Sequence, residues 1–305
     1  MSQTQKTLSP RALTELLALA TIWGASFIAN RLALEGLAVF TTVALRVAGA
    51  AVLLWAVVRL RGLPVPRGAR IWAAFLIMGV MNNALPFTLI TWGQLTIPSG
   101  LAAILNATTA LFGVVVAALV FADERLTRAR GLGAMLGFAG VVTVIGPAAL
   151  LRLDLGSVAQ LALIGASLSY AFAAAFARRA LHGVAPMVSA AGMVTGASVV
   201  MLPLALAVDG MPALAQPASV WGAVVYMAVM SSAVAYLLYY RVLEMAGAGN
   251  LTLVTLLIVP VAIVLGALVF DEVLPLRAYA GFALIGAGLA IIDGRLPRRL
   301  AQVFA

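Results

Sequence analysis

The chain reads as long apolar runs separated by short polar turns. A hydrocarbon core about 30 Å thick needs roughly 20 apolar residues per helix. Runs of that size occupy residues 12–34, 37–58, 71–91, 98–121, 128–147, 156–177, 185–208, 218–240, 249–270 and 277–292. The uncharged stretch 71–122 is too long for one helix. Trp92-Gly93-Gln94 and Pro98-Ser99-Gly100 divide it with turn formers and an interfacial Trp. Loops are short everywhere, so the pattern predicts an all-α polytopic membrane protein of ten spans without a soluble domain.

One stretch of this pattern is built twice. Residues 105–142 lie on 253–290 without a gap, matching Leu105 with Leu253, Val116 with Val264, Asp123-Glu124 with Asp271-Glu272 and Leu126 with Leu274. Gly133 matches Gly281, Leu136 matches Leu284, Ala139 matches Ala287 and Gly140 matches Gly288. Each copy is an apolar helix, a short acidic turn and a second apolar helix. The first helices match more weakly, Trp23 with Tyr170, Ala20 with Ser167 and Arg31 with Arg178. Five spans per half return the chain to the other side, so the second half is expected upside down relative to the first. Inverted repeats suit alternating-access carriers with a midplane site. The expected organisation is a tail at 1–11, a first repeat at 12–147, a linker at 148–155, a second repeat at 156–293 and a basic tail at 294–305.

Composition narrows the chemistry. Of 305 residues, 64% are hydrophobic and 10% charged, with a mean hydropathy of +1.12. There is no cysteine and one histidine, His182, so thiolate catalysis and Cys-based metal sites are excluded and His-based catalysis has almost nothing to use. No metal or cofactor is expected. The short polar N-terminus lacks a cleavage site and reads as a retained tail. With that tail in the cytoplasm, Lys6, Arg11, Arg59, Arg61, Arg67, Arg70, Arg125, Arg128, Arg130, Arg178, Arg179, Arg241, Arg295, Arg298 and Arg299 fall on the cytoplasmic side. Only Arg152 and Arg277 fall opposite, while Arg31 and Arg46 lie in or near the membrane. The net charge of +9 is therefore topological, with both termini cytoplasmic, and needs no nucleic acid.

The segment Ile22-Trp23-Gly24-Ala25-Ser26-Phe27, the pair Leu45-Arg46 and the twice-occurring Asp-Glu-x-Leu before a Gly-rich helix resemble the drug/metabolite transporter superfamily. They are most similar to its ten-helix branch with two EamA-type repeats and, within it, to the bacterial aromatic amino-acid exporters. The resemblance implies a bacterial inner-membrane exporter with spans 1, 3, 4, 6, 8 and 9 around a central cavity.

Lipid rejects unpaired polar groups, so those on these spans should point inward. Span 1 carries Trp23, Ser26, Phe27 and Asn30; span 3 carries Met78, Asn82 and Pro86. Span 4 offers Asn106, Thr108 and Thr109, and span 6 offers Ser167 and Tyr170. Span 8 adds Ser231, Ser232, Tyr236 and Tyr239, and span 9 adds Thr252, Thr255 and Pro260. Each also has a plain structural reading. Ser and Thr pack helices and bond their own carbonyls; Pro86 and Pro260 kink helices, which can gate the cavity. Gly133 and Gly140 read as close-packing positions.

Glu124 and Glu272 close helices beside Arg125 and Arg277, which points to structural or gating roles at solvated turns. Glu15 sits one turn after Arg11, an i,i+4 pair. Arg46 lies about 13 Å along span 2 at 1.5 Å per residue. At that depth a guanidinium costs several kcal/mol unless it snorkels or finds a partner. It either anchors at the interface or biases the cavity towards a substrate carboxylate.

Aromatic, apolar and dispersed hydrogen-bonding groups suit amphiphilic zwitterions. A phosphate-bearing substrate would call for several cavity cations. An intramembrane protease or transferase needs a Ser-His pair, an Asp dyad or a metal set, and none can be assembled. The expectation is a monomeric exporter of amino acids such as Phe, Trp, Tyr, Met and Thr, in contact with lipid. The alternatives are a drug or small-metabolite exporter of the same fold, a channel, or an intramembrane enzyme.

Overall fold

A computed structural model describes residues 9–121, 127–146, 155–251 and 253–293, and among them every element is helical. Glu124 and its turn, Thr252, the linker up to residue 154, residues 1–8 and the tail at 294–305 lie outside the described residues.

Helices are what lipid permits, since a spanning backbone must satisfy its own polar groups. Span 1 is α1 (Pro10–Ala33), opened by Pro10 at its first position and by Ser9 Oγ, which accepts from Ala12 N–H. Span 2 is α2 (Val39–Leu60). It ends on Gly62 at φ +60°, with Leu63 N–H bonding back to Val58 O. Span 3 comprises α3 (Ala69–Gly79), a π turn (Val80–Ala84) and α4 (Leu85–Gly93). Span 4 comprises α5 (Ser99–Asn106) and α6 (Thr109–Val120), and span 5 is α7 (Arg128–Ile145).

The second half repeats this plan. Spans 6 and 7 are α8 (Leu155–Ala180) and α9 (Pro186–Val208). Span 8 comprises α10 (Ala218–Ala228), a second π turn (Val229–Val234) and α11 (Ala235–Leu251), whose kink at Gly247 turns the chain. Spans 9 and 10 are α12 (Val254–Phe270) and α13 (Leu276–Asp293). Seven helices among the described residues are long and apolar enough to cross a membrane; three shorter apolar ones, Gly131–Ile145, Val254–Phe270 and Leu276–Ile292, bring the spans to ten.

The glycines seven apart show how the halves meet. A Cβ at Gly133 would lie 2.6 Å from Gly288 O, and one at Gly140 would lie 2.7 Å from Gly281 O. Gly133 touches the partner of Gly140, and the reverse, so α7 and α13 run antiparallel. The second repeat is inverted on the first. The same exchange joins spans 2 and 7, which pack side by side, and joins span 1 to 8 and 9 as span 6 is joined to 3 and 4.

Even alanine at Gly288 brings its Cβ to 2.5 Å from Gly133 O and 2.7 Å from Gly137 N, both fixed backbone. We expect Gly288→Ala to destabilise the protein by about 1–3 kcal/mol. Gly286→Ala on the same helix, with open space around it, should be neutral or stabilising by up to about 1 kcal/mol. Melting midpoints in detergent compare the two.

Candidate functional site

The two π turns place polar groups at the middle of the bundle. A π turn lengthens the hydrogen-bonded ring and leaves carbonyls without helical donors. Here Ser231 O accepts from Trp23 Nε1 at 3.1 Å, and Met81 O accepts from Ser169 Oγ at 2.6 Å. Each donor comes from the first helix of the opposite half.

Arg46 lies on the second of these turns. Its Nε donates to Ser232 Oγ at 3.2 Å and its Nη2 to Ser231 Oγ at 3.0 Å, while Phe87 stacks 3.8 Å from the guanidinium carbon. Tyr170, Tyr236 and Tyr226 stand within electrostatic reach. No carboxylate among the described residues pairs with Arg46. Charged hydrogen bonds of about 1.5–3 kcal/mol each and a cation–π contact of about 1–2 kcal/mol offset its desolvation. A guanidinium has five N–H groups, so three remain for another acceptor. Beside this, Asn83 Nδ2 donates to Tyr236 Oη at 3.1 Å, and Asn82 Nδ2 approaches Met193 Sδ at 3.6 Å. Trp23 and Tyr239 rings lie 5.9 Å apart.

A separate polar network closes one end of the bundle. Glu272, 5% exposed, accepts from Arg31 Nη1, from Ser99 N–H at 2.9 Å and from Gly100 N–H at 3.2 Å. It is the missing N-cap of α5, where a carboxylate meets both orphan donors and the helix dipole. Gly266 makes room for it, since a Cβ there would approach Glu272. Arg31 also stacks on Phe270 at 4.6 Å. Next to it, Asn30 Nδ2 donates to Gln94 Oε1 (2.8 Å), Thr91 Oγ1 to Asn30 Oδ1 (3.0 Å), and Gln94 Nε2 to Phe27 O (2.9 Å) and Ser99 Oγ (3.3 Å). Here α5 packs on α1 and α12; at the other end, among the described residues, neither α11 nor α12 makes comparable packing with α6 or α8.

The first repeat, residues 12–146, and the second, residues 157–293, each match the EamA-like transporter family. The chain belongs to that family. An uncharacterized transporter of Archaeoglobus fulgidus is 24% identical over 277 residues, covering 89% of this chain and 95% of its own. A protein of Streptantibioticus cattleyicolor, named a probable terminal-alkyne amino-acid exporter, is 28% identical over 287 residues, covering 93% and 94%. A solved crystal structure of 20% identity superposes with a TM-score of 0.68 over 95% of this chain and 98% of its own, which shows the shared fold. This EamA protein is thus a multi-pass transporter.

Of the residues singled out in sequence, Trp23, Asn82, Ser231 and Tyr236 fall in the central cluster with Arg46. Pro86, buried, is the second residue after the first π turn. Met78 is buried two residues before that turn. Asn106 and Thr109 flank the break in span 4, and their Oδ1 and Oγ1 atoms are buried without a partner among the described residues. Ser167 donates to Leu105 O at 3.2 Å and ties α8 to that break. Five lie elsewhere. Ser26 bonds back to Trp23 O at 2.6 Å, and Asn30 and the Phe27 carbonyl serve the closed end. Thr255 lies in the first turn of α12, and Pro260 further along it has an exposed ring.

Two sequence expectations are corrected. Glu272 is neither solvated nor paired with Arg277, because capping α5 draws it inward to Arg31. Arg46 does not snorkel to an interface, because two hydroxyls and a ring satisfy it at depth. Glu15 does pair with Arg11 and also takes Arg241 from span 8. Asn83, Phe87, Ser169 and Met193 were not singled out. Asn83 alone had a signal, a second repeat: Val80-Met81-Asn82-Asn83-Ala84 recurs as Val229-Met230-Ser231-Ser232-Ala233.

Breaking the Glu272 cap should loosen this end. We expect Glu272→Gln to cost about 1–3 kcal/mol, below the range of about 3–5 for fully buried pairs because Arg31 is 36% exposed and screened by solvent. A lowered melting midpoint checks this; an unchanged one would show that the charge contributes nothing to closure.

Proposed function

We propose that this protein exports amino acids, preferentially aromatic and other apolar or neutral ones, by alternating access. The observation that carries the reading is the mid-bundle cluster itself. It joins one guanidinium without a carboxylate to Trp, Tyr, Phe, Asn and Ser side chains. A carboxylate matches the guanidinium, aromatic faces can accept an ammonium, and apolar area takes the side chain. The named amino-acid exporter among its relatives supports the same class.

In this reading the protein works as a monomer in the bacterial inner membrane with both termini cytoplasmic. The two repeats rock about the π turns, residue 12–147 half against residue 156–293 half. The end closed by Glu272 and Arg31 then faces the periplasm, and the structure represents a cytoplasm-facing state. With no carboxylate in the mid-bundle cluster to carry a proton, the substrate gradient drives transport.

Proteoliposome uptake of labelled Trp, Phe, Met and Thr, against glutamate and a nucleotide sugar, tests the reading with and without a pH gradient. Saturable uptake of the four neutral amino acids, unchanged by the gradient, is the expected result. Uptake of the nucleotide sugar alone would remove the amino-acid assignment, and uptake only under a gradient would remove the facilitator mechanism.

A further inference from the structure

The two π turns are inverted counterparts, yet only one of them holds a charge. Gly79 and Ala228 immediately precede the two turns. A Cβ at Gly79 would press on Met193 O at 2.5 Å and Gly196 C at 2.7 Å, and a Cβ at Gly49 would press on Ala228 Cβ at 2.8 Å. Gly49 lies three residues after Arg46, as Gly196 lies three after Met193. Arg46 and Met193 therefore occupy equivalent places on spans 2 and 7. Each faces the third residue of the opposite half's π turn: Arg46 meets Ser231 and Met193 meets Asn82.

We propose that this pair is a polarised substrate site in which Arg46, with Ser231 and Ser232, receives the substrate's one carboxylate, while Met193 and Asn82 receive its uncharged part. The inference rests on the amino-acid reading above and gives it a direction and a limit. Three guanidinium N–H groups have no partner among the described residues, enough for a two-pronged carboxylate contact. The hydroxyls of Ser231 and Ser232 accept from Arg46, so their own protons are available to the same anion. On the other turn a thioether, soft and adaptable, stands beside an amide, in the same apolar cluster as the buried Met78. A second carboxylate or a phosphate placed there would be desolvated with no cation to meet it. The site therefore selects monocarboxylates with a moderately apolar remainder, and dicarboxylates are excluded by Met193.

Binding to the full-length protein in nanodiscs tests this with phenylalanine, phenethylamine, which lacks the carboxylate, and 3-phenylpropionate, which lacks the ammonium. Arg46→Gln should weaken phenylalanine and 3-phenylpropionate by about tenfold or more, the worth of a charged hydrogen bond, and leave phenethylamine unchanged. Arg46→Lys should restore part of the loss, since a point charge replaces the fork. Met193→Arg, with Arg46 intact, should raise the affinity for phenylsuccinate relative to phenylalanine by about tenfold. Equal weakening of all three ligands by Arg46→Gln would mark a structural role and overturn the proposal. Where Arg46→Gln does not fold, the Met193→Arg result decides alone, and no gain for the dicarboxylate overturns it. Arg46-dependent binding of 3-phenylpropionate without any binding of phenylalanine would keep the carboxylate site and remove the amino-acid reading. A wild type that binds none of the three removes both.

Discussion

A carbonyl set free inside a bilayer has no water to turn to, and the middle of this bundle is arranged around that fact. In a π turn Met81 O would accept from the residue five positions on, which is Pro86 and has no N–H. Ser169 Oγ stands in its place at 2.6 Å. On span 8 the corresponding relief comes from Trp23 Nε1 at Ser231 O. Both donors belong to the opposite repeat, so each half's bending point is held by the other half. Flexing one span means breaking or carrying along a bond from the other repeat, which couples the halves without any long-range pathway.

The same logic places the acidic residues. Glu272 caps α5, and Asp209 accepts from Thr41 N–H at 2.7 Å and from Thr41 Oγ1 at 2.9 Å in the first turn of α2. Helix starts whose own caps are absent borrow a carboxylate from a distant element, with the dipole adding to each contact. Backbone contact between α7 and α13 through glycines supplies a second fixed joint. In the proposed alternating-access cycle, motion would then fall to spans 1, 3, 4, 6, 8 and 9, where the helices are broken or polar.

Much of this was legible in the sequence. Apolar run length predicts the spans, because hydrocarbon thickness sets helix length, and five spans in each repeated half predict the inversion, because an odd number returns the chain to the other side. Charge partners were harder to see. Arg31 and Glu272 are 241 residues apart, and a turn with Arg277 nearby offers a local partner that the folded chain does not use. Arg46 stayed open between an interfacial anchor and a cavity charge because Ser231 and Ser232, though expected to face inward, lie on another span, 185 and 186 residues away. The repeated Val-Met-x-x-Ala was present throughout, but two varying polar residues hid it. Met193 carried no polar signal at all, since its interest lies in what its counterpart is.

An inverted repeat makes the two ends of a carrier alike in backbone, so side chains must decide which end rests closed. Around Glu272 the network runs through Asn30, Thr91 and Gln94. Register through the helices and π turns makes their counterparts Ala177, Tyr240 and Leu243. The amide pair at the heart of the network is replaced by a methyl and an isobutyl group. A buried hydrogen bond contributes about 1 kcal/mol net, so three of them bias the two closed states by a factor on the order of 100. The bias favours closure where Arg31 and Glu272 meet, which is the end where α5 packs on α1 and α12. Under the proposed alternating-access reading, substrate bound at the π turns has to favour the opposite closure to turn the carrier over, and in a bundle with so few charges the contacts at Arg46 are the proposed source of that differential binding.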